Sequence, residues 1–545
     1  AGTVAIGKSA LTALTSGAGN VAVGYQAGLL LTTGASNTIF GYGAMDATLV
    51  GSVSNVAIGR NAMGGTHATA TSDYNVAIGH NSMDAAMDGA QQNVGVGYNS
   101  LGALEEGDFN VAVGASALAT VTDADGTVAI GKSALTALTS GAGNVAVGYN
   151  ALLGHTTGAN NIAIGHGAMD ETDGSSSSTS GGNIAIGTNS LGGDWANTGS
   201  DYNIGIGYNT LAADLSGVQQ CIAMGYKALE ACTTGDFNIA MGHQAMYQHT
   251  TGSRNIAIGA GAMNGTAGDA DDAPASTDNV FVGYDAGGGD WADDEDSNFN
   301  VGIGNYVMDA AMDGALKNTA VGHESGTAIT TGSQNALLGF QAGGAIQGGA
   351  WNTCLGDRAG DSISSGGANV AIGTTSDCAA TANNQIAVGN GTVTDAANRG
   401  RWGNSSVSQN NIQTDWTVDS DVRIKKDIEN SNIGLLFVNA LKTRKYKKRH
   451  PSEYDAEILE ARYKKGGFNY DDDKDEIIKD EFDDNKVWNG LVAQEVKTVM
   501  DDLDVEFSGW SEDSNGKQGI QYSTLVVPLI KAVQELSAQV EELKE

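Results

Sequence analysis

The sequence predicts a mainly β chain whose greater part is a parallel β-solenoid, or β-roll, of 17–18-residue repeats over residues 1–400. Three observations carry this. A five-residue phrase, Asn-(Val/Ile)-Ala-(Ile/Val)-Gly, recurs in 22 copies, 18 of which begin with Asn. Glycine reaches 78 of 545 residues while proline numbers only 3, which excludes collagen and fits a regular, tightly turning array. Finally, one unit of this size cannot bury its own apolar face, whereas stacked neighbours bury a continuous core.

Each part of the repeat has a physical reading. Alternation puts the two β-branched residues, such as Val56 and Ile58, on one face of a short strand and Ala57 on the other. The small alanine is what a strand pressed from both sides requires. The closing Gly permits the positive φ of a corner. A ring or long polar side chain often follows it, as at Tyr25, His80, Tyr98, Tyr149, His166, Tyr208, His243, Tyr284 and His323, which stacking would arrange as a ladder. The fixed Asn suits an amide ladder between coils. The rest of the unit reads as a short strand or helical turn ending in a Gly turn. At the usual strand spacing, such a stack of coils extends on the order of 100 Å. Longer intervals carry polar insertions such as ETDGSSSSTSGG, expected as surface loops. The sequence opens at Ala1 inside this pattern, which reads as a fragment or a processed form.

Charge narrows the partners. The formal net charge is −35; residues 1–410 hold 9 Lys+Arg against 34 Asp+Glu, and residues 411–545 hold 19 against 29. Such a surface repels nucleic acid and anionic membranes, so neither is an expected partner, and no stretch has the apolar length of a membrane span. Cys221, Cys232, Cys354 and Cys378 form no CxxC pair and read as small buried thiols. Four other features resemble sites and are better explained locally. Gly95, Gly97 and Gly102 in NVGVGYNSLG mimic a dinucleotide loop, but such glycines recur with the repeat. His80, His166, His243 and His323 share a position held elsewhere by Tyr, so ladder packing outweighs an ion site. The acidic runs at 290–296 and 471–476 lack EF-hand spacing. The basic KTRKYKKRH (442–450) reads as a strand pairing with the acidic segment downstream. No cofactor or metal is expected.

Past Arg401 the phrase stops, and residues 401–419 read as a polar connector. At the far end, Val526, Leu529, Val533, Leu536, Val540 and Leu543 alternate spacings of 3 and 4, an a/d seam on a helix over 523–545, with Pro528 tolerated in its first turn. Such a helix requires partner copies, and the pattern itself is satisfied by two or by three.

Two resemblances add to this reading. The phrases TVAIG and NVAIG resemble the head repeats of trimeric autotransporter adhesins, which turn a β-roll within a homotrimer; similar arrays occur in phage tail fibres. SDVRIKKDI (420–428), LKTRKYKK (441–448), NGLVAQEVKTV (489–499) and QYSTLVVPLIKAVQELSAQVEELKE (521–545) together resemble the endosialidase-type intramolecular chaperones, the peptidase S74 family. That resemblance implies a small α+β chaperone domain over 420–545 that trimerises, guides folding of the upstream fibre and cuts itself off beside the Ser of its Ser-Asp pair. It makes Ser420 the nucleophile and Lys425 its general base, with Asp421 and Arg423 flanking the cut. A Ser hydroxyl needs such a base, whereas Arg423 cannot act as one and would orient the loop or stabilise charge. Residues five apart do not share a face of a strand or a helix, so this pair needs a bend or a neighbouring protomer. Direct hydrolysis and an N→O acyl shift both fit.

The expectation is a homotrimeric phage tail fibre or spike in the virion, exposed outside the cell. It would bind a host surface receptor, glycan or protein, and its only reaction would be one self-cleavage per chain. A bacterial surface adhesin is the second expectation. A glycan-degrading spike ranks last, since no paired carboxylates stand out from the repeat.

Overall fold

The computed structural model describes residues 2–48, 51–66, 70–172, 180–195, 199–266, 275–291, 295–404, 407, 422–449, 486–512 and 516–544. They fall into two compact units, Ala1–Trp351 and Asn352–Glu545. Every copy of the phrase forms a three-residue strand. In the first unit, β1 (Val4–Ile6) to β19 (Ala336–Leu338) pair in parallel, each with its successor. The register never slips: Val128 lies beside Val145, Ala129 beside Ala146 and Ile130 beside Val147. The second unit opens with the same device, β20 (Thr353–Leu355) to β23 (Gly400–Trp402).

The ladder residue explains the constant register. Asn37 donates its backbone N–H and its Nδ2 to Asn20 Oδ1, at 3.0 and 3.1 Å, and a second Nδ2 bond to Ser52 O at 2.8 Å. Asn55 then repeats the contact on Asn37 Oδ1. Each fully buried amide thereby bonds to the coil before it and to the backbone of its own coil. A slip by one residue would leave those groups unpaired in the interior. The closing Gly has a second reason beyond its positive φ. A Cβ on Gly131 would stand 2.1 Å from Gly148 O, the same position one coil on. The column therefore has no room for a side chain.

The rest of the coil differs from the expected short strand or helical turn. It is a run of tight turns in which left-handed residues alternate with ordinary ones, as at Asn61 (φ 54°) and Met63 (φ 52°). Apart from isolated bridge residues, Thr48 and the pair Asp377 and Val393, the described residues show no second strand per coil.

These turns fill the interior. The strand's central Ala points inward and is fully buried, and six residues later a Leu or Met closes over it, as with Ala129 and Leu135 or Ala163 and Met169. The centre does accept large side chains, contrary to the expectation of small ones only: Ile39 is fully buried although Met45 follows it, with Gly28 of the preceding coil beside it, and in other coils the sixth position itself is glycine. Phe281 is followed by Gly287, whose added Cβ would lie 2.8 Å from the Phe281 ring, and Leu337 by Gly343, at 2.7 Å from Leu337 Cδ2. Core volume is conserved by exchange between two positions.

In the second unit, residues 422–544 build a small α+β domain. Helix α1 (Leu435–Ala440), strand β24 (Arg444–Lys447), strand β25 (Val487–Gly490), helix α2 (Ala493–Asp502), the hairpin β26 (Trp510–Glu512) with β27 (Gln518–Ile520), and helix α3 (Val526–Glu542) follow in order. Phe437, Val496, Val499, Met500 and Phe507 form its core, with the two Phe rings 5.3 Å apart. The basic strand β24 pairs antiparallel with β25, the Val-Trp-Asn-Gly stretch that follows the acidic segment. Tyr446 faces Trp488 across the pair, and Lys448 and Lys486 both lie over the Trp488 ring, which places cations on an electron-rich face. The residues of the acidic run at 471–476 lie outside those described.

Candidate functional site: two apolar faces and the seam

In the first unit the strand is covered on one side only. With Ala turned inward, the β-branched residues that were expected to be pressed from the other side face outward. In most coils the first of the pair is half-buried; the second is half-buried in some, as at Val147 and Ile206, and exposed in the others, from 36% at Val113 through 41% at Ile130 to 58% at Ile6. Parallel pairing in constant register sets these side chains above one another in an apolar stripe. Beside it runs the aromatic ladder expected from the sequence. Tyr25 stacks on Tyr42 at 5.0 Å, and Tyr208, Tyr226 and His243 at 5.5 and 5.1 Å. Tyr284, Tyr306, His323 and Phe340 continue it at 5.3, 5.8 and 5.5 Å. Lys8, Arg60 and Lys132 lie over rings of this ladder. An exposed apolar surface of this extent marks an interaction face.

A second bare face lies on α3. One side of this helix packs into its own domain: Pro528 and Ala532 are buried, and the Glu535 carboxylate accepts the Leu435 N–H at 2.7 Å, capping α1. The proposed seam lies on other sides. Val526, Leu529, Val533, Leu536, Val540 and Leu543 are all exposed, as are Val527 and Ile530. The segment before α1, the end of α2, the loop after it and the start of α3 also line a cleft of about 510 Å³, with Ser431, Ile433, Met500, Glu506, Phe507 and Thr524 among its residues. Arg444 grips Glu495 through both guanidinium nitrogens, at 2.9 Å for Nε, and this hydrogen bond, together with the charge of Arg444, holds the Glu495 carboxyl below its ordinary range. The pair ties β24 to α2.

The chain matches no family model and no curated protein.

The seam residues are placed unevenly. Ser420 and Asp421 lie outside the described residues. Val422–Ile424 form a single 3-10 turn, closed by Lys425 N–H donating to Val422 O at 3.2 Å, and Asp427 takes a left-handed φ of 53°. The chain thus bends immediately before Lys425. Arg423 and Lys425 are exposed. Among the described residues, no group of three or more His, Cys, Asp and Glu is arranged to hold a metal ion, and no helix is long and apolar enough to cross a membrane.

Sequence reasoning missed two buried histidines. His155 and His249, in the HTTG stretches, sit at the interior position that Leu31 or Ile329 fills in other coils. His249 Nε2 donates to Gly252 O at 2.9 Å and its Nδ1 meets Thr266 Oγ1 at 2.9 Å, an arrangement suited to the neutral ring. Counting eleven residues on from each ladder position places them where eight of the 22 coils carry Leu, Ile or Val and the others Ala, Thr, Asp or Cys, so the signal in the sequence is weak.

Proposed function

We propose that this chain is the subunit of a homotrimeric fibre or spike of a phage tail, exposed at the virion surface, whose repeat shaft is the permanent structure and whose C-terminal domain drives assembly. The observation that supports it best is the outward apolar stripe. It recurs at every coil and lacks a cover in the single chain, so copies of the chain lying side by side bury it. The a/d seam of α3 supplies a second, compact surface for the same partners, and short parallel helices associate faster than a long ladder aligns. Assembly therefore begins at the C-terminal domain and sets the register of the shaft. A host surface glycan or protein is the partner of the finished fibre.

The seam then separates the two parts. Ser420 attacks a carbonyl beside it, Lys425 takes the hydroxyl proton, and the C-terminal domain leaves after its work is complete. An amine acts as a base only when stripped of water, and Lys425 is exposed in the single chain. A neighbouring copy that covers it would couple cutting to assembly.

Intact-mass analysis and light scattering of the native chain beside Ser420→Ala and Lys425→Ala test this. The native protein is expected as two fragments divided at the seam, with the shaft at the mass of three copies; both variants are expected whole and trimeric. A native chain that assembles and stays intact would remove the cleavage, and a monomeric native shaft and precursor would remove the assembly.

A further inference from the structure

Cys221 is the one cysteine among the 22 ladder positions. Its sulfur takes over the amide's work: Sγ–H donates to Gly235 O at 3.2 Å and Sγ accepts the Asn238 N–H at 3.4 Å. In a regular coil, Asn318 Nδ2 donates to Gly332 O at 2.8 Å and its Oδ1 accepts the Asn335 N–H at 3.0 Å. The same coil holds a second cysteine. Cys232 stands eleven residues on, at the interior position filled by Leu31, Leu104, Ile329 and Ile346 elsewhere. Its Sγ lies 3.6 Å from that same Gly235 O, and its thiol is hydrogen-bonded to Cys221. Both side chains are fully buried. Only in this coil are the ladder residue and the interior residue that meets it both cysteine.

We propose that Cys221 and Cys232 are a disulfide-forming pair that staples this coil covalently as the chain folds. The Cys232 hydrogen bond holds the Cys221 thiol below its ordinary range, while the same bond and burial push Cys232 well above it. In the open coil one of the two thiolates, written here as that of Cys221, attacks a small-molecule disulfide, forming a mixed disulfide and releasing one thiolate that takes up a proton. The Cys232 sulfur, losing its proton to solvent, then displaces the second small thiol from Cys221 Sγ. Two protein thiols and one external disulfide become one protein disulfide and two small thiols. The closed coil excludes the reagent, so the reaction belongs to folding, before the next coil covers the site. Little bonding is sacrificed, because a thiol is a weak donor to Gly235 O. This inference is independent of the trimer and of the cut.

The full chain is refolded in a glutathione and glutathione-disulfide buffer, denatured in iodoacetamide without reductant, and digested with trypsin. Lys227 lies between the two cysteines, so cleavage there separates them. The expected result is the two peptides joined, two hydrogens lighter than their sum and unalkylated, with both thiols becoming alkylated only after reduction. Recovery of both peptides separate and alkylated overturns the proposal. Cys221→Asn restores the regular ladder residue and should leave Cys232 fully alkylated. If Cys232 stays blocked in that variant, it pairs elsewhere and the proposal falls.

Discussion

A ladder asparagine does three jobs with one amide, and the substitutions that the chain itself carries show which of them are indispensable. Thr127, Cys221 and Gln385 all stand in the column, and each still has its own N–H held by the preceding Asn Oδ1. Replacing Asn318 by Leu removes the partner of Gly332 O and of the Asn335 N–H in the interior, a loss of roughly 1–3 kcal/mol for each buried group left unpaired. Asn318→Gln is expected to lose less, since Gln385 keeps the amide-to-amide bond to the preceding Asn369 Oδ1 from the same position. Denaturant midpoints of the two variants against the native chain check this order. His249 gives a second expectation. Burial holds its imidazole below the ordinary value of 6.5, so the unfolded chain takes up the proton first and stability falls as pH drops below about 6.5. His249→Leu, the residue that Leu31 and Leu104 supply at the same place in their coils, should flatten that part of the stability–pH curve by about 1.4 kcal/mol for each unit by which the two pKa values differ. A variant with the native slope would show that the ring is protonated inside the fold. The ladder was legible in the sequence because Asn recurs beside a fixed strand. The buried histidines were not, because their position carries no motif and varies between aliphatic residues, Ala, Thr and Asp from coil to coil.

Coils show their logic in pairs of positions. The strands were readable, since β-branched alternation ended by Gly repeats so often; which face would be inward was read from residue size alone. Val and Ile look like core and Ala like a tolerated contact, yet the space inside is already taken by the Leu or Met six residues on. Phe281 and Gly287 exchange those volumes, and this makes a sharp test. Phe281→Ala opens a cavity and is expected to cost about 3–5 kcal/mol, and Gly287→Leu overpacks by about 1–3 kcal/mol. The double variant re-creates the regular Ala and Leu coil and should lie well above the sum of the two losses, a coupling that a thermodynamic cycle measures directly. Leu already adopts the left-handed backbone at this position, as at Leu135 (φ 52°), so Gly287 is not needed for its φ of 62°. In the small domain, Glu535→Ala should loosen α1 by about 0.5–2 kcal/mol, the usual value of a lost helix cap, and faster amide exchange at Leu435 to Ala440 would report it. Nothing in the sequence pointed to that contact, which joins residues a hundred positions apart.

At the scale of the whole molecule, the two apolar faces have separable contributions. Val533→Asp with Leu536→Asp on α3 should abolish or slow assembly while leaving each domain folded, because both residues are exposed in the single chain. Ile130→Asp with Ile164→Asp in the stripe should weaken the assembled shaft without affecting trimers of the isolated C-terminal segment. Sedimentation of both double variants separates the two, and unchanged trimers in both would place the interface elsewhere. The change from repeat to non-repeating sequence near residue 400 was plain from composition, whereas any pairing of Ser420 with Lys425 depends on contacts that a linear pattern does not encode. The constant register has one further consequence. Because nearly every coil offers its successor the same ladder amide and every one the same glycine carbonyl, a copied block fits wherever it is inserted. Thr3–Tyr25 recurs identically as Thr127–Tyr149, spanning β1 and its counterpart Val128–Ile130. Reach is then a quantity a lineage adjusts by duplication or deletion of whole turns, with no new contact to invent.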